Sequence, residues 1–512
     1  MANPIRMEPA DEWNRQLIDN VHPPTWENPV PQGRYNLVVL GAGTGGLITA
    51  LVASSLGARV ALIERYLMGG DCLNVGCIPS KSVIRGAKIV HSAREAARFG
   101  MPGSAEDVGN FGEVMRRMRE IRARISHEDS AERYRDEFGV DIYLGDARFV
   151  GEGRVEVDGR VLAYSKAVIA TGARAVAPPI EGLSDAGYLD NETVFSLTER
   201  PRRLAVIGAG PIGCELAQSF RRLGSEVHIL ERMDQILTRE DPDAAKIVRE
   251  AMVREGIEMV FGCDIERVER RGEERVLHLT CPKEARREFV VDQILVGAGR
   301  APNVEGLGLE VVGVTYDRQQ GVEVDDHLRT SNQRIWAVGD VCMKWKFTHA
   351  ADAAAKIVVQ NALFAVGPIG RKKLSDLIMP WCTYTEPEIA HVGLYERDAL
   401  EQGVEIDTYQ VSMAEANRAV TDGQEEGIVK VHVKRGGDEI VGATVVSAHA
   451  GDLITQFTMA IQNGIGLGSF TNVIYPYPTQ GEAIKRAAGA YTRTRLTPVV
   501  KRLFERWLSW QR

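Results

Sequence analysis

Residues 41–65 read GAGTGGLITALVASSLGARVALIER, and residues 208–232 read GAGPIGCELAQSFRRLGSEVHILER. The two segments align without a gap. Each opens with G-x-G-x-x-G, continues for the length of a helix, turns at Leu-Gly and ends on an apolar run followed by Glu-Arg. A short apolar run also precedes each segment, at residues 37–40 and 204–207. The pattern predicts a strand–helix–strand unit that occurs twice in the chain.

We call each G-x-G-x-x-G motif a fingerprint. Its three glycines have separate physical roles. Gly41 permits a tight turn, Gly43 lets the backbone approach a pyrophosphate, and Gly46 lets the helix pack closely on the strand. The N-terminus of the helix then faces the anion. The same tasks fall in the second copy to Gly208, Gly210 and Gly213. The sequence therefore predicts two dinucleotide sites.

An acidic residue stands at the end of each second strand, Glu64 in the first copy and Glu231 in the other. A carboxylate at this point accepts hydrogen bonds from a ribose 2′-hydroxyl and repels a 2′-phosphate. Glu231 therefore favours NAD over NADP, and the cationic side chain of Arg232 beside it acts in the opposite direction.

Two cysteines lie close together in GGDCLNVGCIPSKSVI, residues 69–84. The spacing of Cys72 and Cys77 admits a disulfide, and the N-terminal end of a following helix can stabilise a thiolate. Lys81 adds a cation one turn later. A structural disulfide is disfavoured in a reducing compartment, and a zinc site lacks a second Cys/His pair at metal spacing. The pair is therefore interpreted as redox-active, and no metal site is predicted.

Length and charge limit the class of protein. A chain of 512 residues is too long for a single core. The net charge of −8 disfavours binding to nucleic acid, and no apolar stretch approaches the roughly 20 residues of a membrane span. Asp11, Glu12 and Arg15 fall where a secretory signal would be apolar, so a cytoplasmic location is expected.

Together these motifs resemble the pyridine nucleotide–disulfide oxidoreductases, the family of glutathione reductase, lipoamide dehydrogenase and mercuric reductase. The resemblance runs from about residue 35 to residue 490. Its other landmarks are Ala170-Thr171-Gly172, GAGRAPN at 297–303, AVGDV at 337–341 and TYTEPEIAHVGL at 383–394.

The resemblance implies an α/β fold with two Rossmann-like dinucleotide-binding domains and a C-terminal α+β dimerisation domain, hence a homodimer. The expected segments are an extension (1–34), an FAD-binding domain in two parts (35–174 and 299–376), an NAD(P)-binding domain (175–298), a dimerisation domain (377–495) and an amphipathic helix (496–512).

The resemblance also implies roles for individual residues. FAD is expected on the first fingerprint with Glu64, and Asp340 is expected to bind its ribityl chain. NAD(P)H is expected on the second fingerprint. Further cofactor-binding residues are Thr171, Gly172 and Gly299. Cys77 is expected to be the charge-transfer thiol and Cys72 the thiol that meets the substrate. Lys81 and Glu215 are expected to form an ion pair beside the flavin.

One position departs from the disulfide reductases of the family. Their interface domain supplies His-Pro-Thr followed by a Glu that orients the His. Here YPYPTQGEA, residues 475–483, places Tyr477 where the His belongs and retains Pro478, Thr479 and Glu482. An ordinary tyrosine, with a pKa of about 10, protonates a leaving thiolate poorly near neutral pH.

Tyrosine in this region resembles mercuric reductase, so a metal ion or another small oxidant is favoured as the electron acceptor. The C-terminal cysteine pair of mercuric reductase has no counterpart after Cys382. A dihydrolipoamide dehydrogenase or other disulfide reductase remains the alternative enzyme, and a flavin-bearing sensor or assembly subunit the alternative of another class. Tyr477 is either an acid/base group or an aromatic plug.

Apolar residues recur at helical spacing in residues 499–510, interleaved with Lys501, Arg502 and Arg506. The apolar positions are Val500, Leu503, Phe504, Trp507 and Trp510. A basic amphipathic helix can lie on a membrane surface. Packing of the apolar stripe on the protein itself is the favoured interpretation.

Overall fold

The computed structural model describes residues 5, 7–102, 110–281 and 286–512, which divide into two compact units. The first unit comprises Met1–Gly208, Ser219–Val227 and Asp264–Leu377, and the second comprises Ala209–Gln218, His228–Cys263 and Ile378–Arg512. Both contain helices and sheets, which confirms the predicted α/β class.

A seven-stranded sheet forms the centre of the first unit. Its parallel strands are Asp141–Leu144, Val60–Glu64, Arg34–Leu40, Arg160–Ile169 and Ile335–Ala337. Arg154–Val157 and Ala147–Gly151 extend it in antiparallel pairing. Residues 37–40 and 60–63 are fully buried apolar side chains, as expected for parallel strands covered on both faces. The first fingerprint turn lies between the carboxyl end of Arg34–Leu40 and the helix that begins at Thr44.

Helices and smaller sheets complete the first unit. The helices are Glu12–Val21, Thr44–Ser55, Gly70–Asn74, Cys77–Glu95, Phe111–Ile125, Ala131–Asp136, Leu183–Ala186 and Thr348–Val359. A three-stranded antiparallel sheet contains Asp264–Arg271, Glu274–Thr280 and Arg287–Val291. The short strands are Ala173–Ala175 with Arg300–Pro302, and Tyr316–Asp317 with Gly321–Val322.

The second fingerprint lies in a strand–helix–strand unit, as predicted for the repeat, and a further helix and strand follow it. These elements are Arg203–Ile207, Pro211–Arg222, Glu226–Glu231, Pro242–Arg254 and Glu258–Phe261. Arg203–Ile207 pairs in parallel with Gln293–Val296, and Glu226–Glu231 pairs in parallel with Glu258–Phe261.

The C-terminal part of the second unit is built on a five-stranded antiparallel sheet. Its strand order is Pro380–Thr383, Glu388–Gly393, Ile440–Ser447, Ile428–Lys434 and Ile406–Ser412. The accompanying helices are Glu396–Glu401, Asn417–Thr421, Ala450–Gln462, Glu482–Thr494 and Pro498–Trp510. Val431, Val445, Phe457 and Ala487 belong to the core between sheet and helices.

The described residues before the first strand contain a helix and contact the rest of the first unit. The helix Glu12–Val21 is capped by Asp11, whose carboxylate accepts the N–H of Asn14 at 2.9 Å. Trp26 donates from Nε1 to the carbonyl of Ile142 at 3.3 Å, which joins this segment to the strand Asp141–Leu144.

The predicted packing of the terminal apolar stripe is wrong. The helix Pro498–Trp510 forms where the periodicity places it, and none of its residues is buried in the described structure. Amphipathic spacing indicates which face is apolar and does not indicate what covers that face. Separately, no helix within the described ranges is both long enough and apolar enough to cross a bilayer.

Candidate active site

The two fingerprints share one local geometry. In the first, Glu64 accepts the N–H of Ala42 at 2.7 Å and that of Tyr66 at 2.9 Å. In the second, Glu231 accepts the N–H of Ala209 at 2.7 Å and that of Met233 at 2.9 Å. Each carboxylate therefore links its glycine turn to the end of its second strand. Burial raises the pKa of Glu64.

The first glycine turn leaves space for a phosphate. Gly41 has φ +100°, and a Cβ at this position would lie 2.4 Å from the carbonyl oxygen of Ala170. The helix Thr44–Ser55 begins after Gly43 without a side-chain cap, so its first N–H groups point at the turn. The nearest atom to a Cβ on Gly43 would be 3.7 Å away, on Gly70. This open cradle of N–H groups fits the pyrophosphate of a dinucleotide.

The second turn repeats this arrangement. Gly208 has φ +97°, and a Cβ built on Gly210 would have no neighbouring atom within 4 Å. Gly213 is buried in the following helix. The second turn therefore also has room for a pyrophosphate against its backbone.

Two landmark turns of the first unit are joined by hydrogen bonds. Thr171 donates from Oγ1 to the carbonyl of Asn303 at 2.7 Å, and the Asn303 amide donates to the carbonyl of Thr171 at 2.9 Å. The backbone N–H of Asn303 also donates to Gly172 at 3.0 Å. Gly299, with φ +95°, directly precedes the strand Arg300–Pro302, which ends next to Asn303. Residues 171–172 and 303, which are far apart in sequence, are thus joined by hydrogen bonds.

Arg300 connects the predicted ribityl-binding residue to the cysteine loop. Its guanidinium lies 3.4 Å from the carboxylate of Asp340 and contacts that of Asp71, the residue before Cys72. Burial raises the pKa of Asp340, and the Arg300 cation opposes this shift. Sequence reasoning missed Arg300 and Asp71, although Arg300 falls within the GAGRAPN landmark.

Cys72 and Cys77 are both partly buried. Cys77 is the first residue of the helix Cys77–Glu95, which has no side-chain cap, and its sulfur lies 3.3 Å from the Thr348 hydroxyl. A hydrogen bond with Cys77 raises the pKa of the Cys72 thiol, and burial raises it further. The Thr348 hydroxyl acts in the opposite direction and lowers the pKa of Cys72.

A carboxylate that the sequence did not reveal adds to the upward shift of the Cys72 pKa. Asp129 ends the turn Ser126–Asp129, and its negative charge further raises the pKa of the Cys72 thiol. Burial raises the pKa of Asp129 itself to about 6, with Glu128 contributing and Arg133 opposing. No motif surrounds Asp129, and only the folded chain brings it towards the cysteine.

The N-terminal helix supports the cysteine loop. Arg122 is buried and donates to the carbonyl of Asn74, between the two cysteines, at 2.6 Å. Its other terminal nitrogen donates to the Asn14 side chain at 2.6 Å. Asn74 in turn donates to the carbonyls of Met68 and Gly70 at 3.0 and 2.9 Å. Residues of the extension thereby stabilise the loop.

Lys81 and Glu215 lie on the helices predicted for them. Lys81 is half-buried on Cys77–Glu95, one turn after Cys77. Glu215 is buried on Pro211–Arg222 and accepts the N–H of Tyr384 at 2.9 Å. The expected ion pair between them stays a prediction.

Tyr477 and Glu482 meet through a third residue, Asn417. The Asn417 side chain donates to the Tyr477 hydroxyl at 2.9 Å, and its backbone N–H donates to Glu482 at 3.3 Å. The Glu482 carboxylate also accepts from Arg486 at 2.7 Å. Tyr477 is 73% exposed, so within one chain its ring is not a buried plug. Asn417 has no sequence signature, because it lies 60 residues from Tyr477.

Two models of one protein family match most of the chain. A family model described as pyridine nucleotide-disulphide oxidoreductase matches residues 35–355. The dimerisation domain of the same family matches residues 379–488. The first match contains both fingerprints and the cysteine pair, and the second contains Tyr477 and Glu482.

Proteins similar to this chain include enzymes with different names. A mercuric reductase of Lysinibacillus sphaericus is 33% identical over 459 residues, covering 90% of this chain and 83% of the relative. A dihydrolipoyl dehydrogenase of Thermus scotoductus is 33% identical over 464 residues, covering 89% and 97%. Among solved structures, the Cu(II) complex of the HOCl-induced flavoprotein disulfide reductase RclA from Escherichia coli has a TM-score of 0.80 at 25% identity, covering 90% of this chain and 100% of that one.

Proposed function

Because the chain belongs to the pyridine nucleotide-disulphide oxidoreductases, we propose that it passes two electrons from NAD(P)H, through FAD and the Cys72/Cys77 pair, to a metal ion or another small oxidant. The family is FAD-dependent and uses a pyridine nucleotide. Its dimerisation domain supports a homodimer. The observation that carries the proposal is the cysteine pair, whose second member, Cys77, begins a helix without a side-chain cap.

Bound FAD supplies the step that converts hydride from the nicotinamide into electrons for the cysteine pair. The chain's own residues manage protons and charge. Oxidation of the dithiol to a disulfide releases two electrons and two protons, and two electrons reduce one Hg(II) to Hg(0) or two Cu(II) to two Cu(I). Cys77 begins a helix whose N-terminal end favours negative charge on its sulfur, and a hydrogen bond with Cys77 together with burial raises the pKa of the Cys72 thiol.

The metal-ion acceptor is supported by Tyr477. Reduction of a substrate disulfide requires an acid that protonates the leaving thiolate, and histidine does this best near neutral pH. A metal ion held by thiolates needs no such proton. The names of the mercuric reductase relative and of the Cu(II)-bound structural neighbour point to the same class of acceptor.

The remaining roles stay part of the proposal. Lys81 and Glu215 pair beside the flavin, and Tyr477 with Glu482 completes the site of the partner subunit in the dimer. The cytoplasm is the proposed location, since a reducing compartment keeps a working dithiol reduced. The domain boundaries predicted from the sequence are retained, and the dimerisation domain is placed at 377–495.

A substrate panel tests the acceptor. Under anaerobic conditions with NADH or NADPH, we expect rapid reduction of Hg(II) or Cu(II), with quinones also tested, and slow reduction of lipoamide and glutathione disulfide. Tyr477→His should raise disulfide turnover roughly tenfold or more, because an acid/base group contributes at least that much. Its effect on metal-ion reduction should stay below about threefold, since that step needs no proton from this residue.

Tyr475→Phe is the matched control for the panel, because it removes a nearby tyrosine hydroxyl that donates to Gln456. We expect it to change neither activity. Rapid oxidation of dihydrolipoamide by the parent enzyme, with little further change in Tyr477→His, would identify a dihydrolipoamide dehydrogenase instead.

Nucleotide preference should depend on Glu231. Glu231→Gln retains an acceptor oxygen for Ala209 or Met233 and removes the negative charge that repels a 2′-phosphate. The ratio of kcat/KM for NADH to that for NADPH should fall roughly tenfold, equivalent to about 1.4 kcal/mol. Steady-state kinetics with both nucleotides measure this ratio.

The control for this change is Glu226→Gln, which removes the same charge at the opposite end of the same strand. The ratio should not change in that variant. A preference of the parent enzyme for NADPH would contradict the proposal and assign the choice to Arg232.

A further inference from the structure

The helix Pro498–Trp510 presents an apolar face that the described residues of the chain leave exposed. Thr497 caps it by accepting the N–H of Val500 at 3.4 Å, and Pro498 occupies the first turn. Leu503 is 59% exposed and Trp507 57%. Large apolar side chains grouped on one exposed surface indicate an interaction site.

The apolar and polar residues divide the helix into two halves. At about 100° per residue, one half of the circumference carries only apolar side chains. These are Val499, Val500, Leu503, Phe504, Trp507, Leu508 and Trp510. The opposite half carries Lys501, Arg502, Glu505, Arg506 and Ser509. Lys501 and Arg506 stand at the two borders, where long cationic side chains can reach outwards while their stems cover apolar surface.

Charge on this segment is opposite to that of the rest of the chain. Residues 493–512 contain six arginine or lysine residues and one acidic residue, Glu505, although the whole chain has a net charge of −8. A basic border around a face of tryptophan, phenylalanine and leucine is typical of helices that lie in a membrane interface. Such a surface complements anionic lipid headgroups in charge and acyl chains in polarity.

We propose that Pro498–Trp510 binds the surface of an anionic lipid bilayer, with its axis in the membrane plane. The face centred on Leu503 and Trp507 enters the boundary between headgroups and acyl chains, and Lys501 and Arg506 contact lipid phosphates. This binding holds the enzyme at the membrane without a spanning helix. It depends on the surface of this helix alone and does not rest on the identity of the electron acceptor.

Flotation of the full-length, FAD-loaded protein with lipid vesicles tests the proposal. We expect it to float with vesicles of phosphatidylcholine and phosphatidylglycerol, and much less with phosphatidylcholine alone. Raising the salt concentration should weaken the binding, since exposed charges are screened. The double variant Leu503→Ser/Trp507→Ser should lose at least roughly tenfold in affinity, because two apolar side chains no longer enter the lipid.

Charge reversal tests the borders of the face. Lys501→Glu/Arg506→Glu should weaken binding to the anionic vesicles roughly tenfold or more. Leu400→Ser removes an apolar side chain that is 81% exposed on another helix, and Lys246→Glu/Arg148→Glu reverses two exposed cations elsewhere. Both control variants should bind as the parent does. Unchanged flavin content and thermal midpoint will confirm that each variant is folded.

Three results would overturn the proposal. The first is failure of the parent protein to float with anionic vesicles. The second is equal flotation of the parent and both helix variants. The third is a change of oligomeric state in Leu503→Ser/Trp507→Ser, measured by sedimentation, without a loss of vesicle binding. That result would make a second copy of the chain the partner of the helix.

Discussion

Cys77→Ser will abolish the long-wavelength thiolate–flavin absorbance that we expect when NADH reduces the parent enzyme, whereas Cys72→Ser will preserve it. Cys77 begins the helix Cys77–Glu95, whose N-terminal end favours a negative charge on sulfur. A hydrogen bond with Cys77 and burial raise the pKa of the Cys72 thiol, and the charge of Asp129 adds to this effect. We therefore expect Cys77 to present the thiolate to the flavin.

Cys72→Ser also removes the partner with which Cys77 would form a disulfide. The absorbance in that variant is therefore expected even before reductant is added. Either substitution should lower turnover with metal-ion acceptors by roughly a thousandfold or more, because the two thiols act as a unit. Anaerobic stopped-flow spectroscopy measures the absorbance, and steady-state assays measure the turnover.

Cys342→Ser provides the control, since it removes a different thiol in the first compact unit of the structure. Burial raises the pKa of Cys342, so this thiol is a poor source of thiolate. Absorbance and turnover should match the parent in this variant. Equal absorbance in Cys72→Ser and Cys77→Ser would reverse our assignment of the two thiols. Slow flavin reduction without the absorbance in the parent would favour the flavin-bearing sensor or assembly subunit.

Local spacing explains what the sequence could predict. The glycine turns, their helices and the carboxylates Glu64 and Glu231 lie within 25 residues of one another in each copy, so chain geometry alone places them. The matching hydrogen bonds to Ala42 and Ala209 follow from that spacing. The cysteine pair and its helix are local in the same way.

Contacts between distant residues explain what the sequence could not predict. Asp129 acts on Cys72, and Arg122 holds the carbonyl of Asn74, only because separate helices pack together. Asn417 reaches Tyr477 across 60 residues. The terminal helix shows the same limit, since periodicity defined its apolar face and could not reveal that the face stays exposed.

Alanine substitutions at Gly46 and Gly43, in the same fingerprint, should have different effects. The first should lower stability and the second should weaken FAD binding. In Gly46→Ala, the added Cβ would lie 1.8 Å from the carbonyl oxygen of Gly41, so the helix must move away from its strand. This variant should be destabilised by about 3 kcal/mol, whether or not FAD is present. Thermal and denaturant unfolding of the FAD-free and FAD-loaded protein measure the loss.

Gly43→Ala should instead spare the fold and weaken FAD binding. Gly43 has φ −74°, which alanine tolerates, and the nearest atom to its Cβ would be 3.7 Å away. The FAD-free protein should keep its stability within about 0.5 kcal/mol, while FAD affinity falls roughly tenfold or more because the methyl group occupies the pyrophosphate space.

Gly210→Ala makes the same change in the second turn, where a Cβ would have no neighbour within 4 Å. It should retain FAD and raise the KM for the nicotinamide nucleotide. Measured FAD content and nucleotide KM thus assign each turn to one cofactor. If Gly43→Ala retained FAD and Gly210→Ala lost it, the order of the two sites along the chain would be reversed.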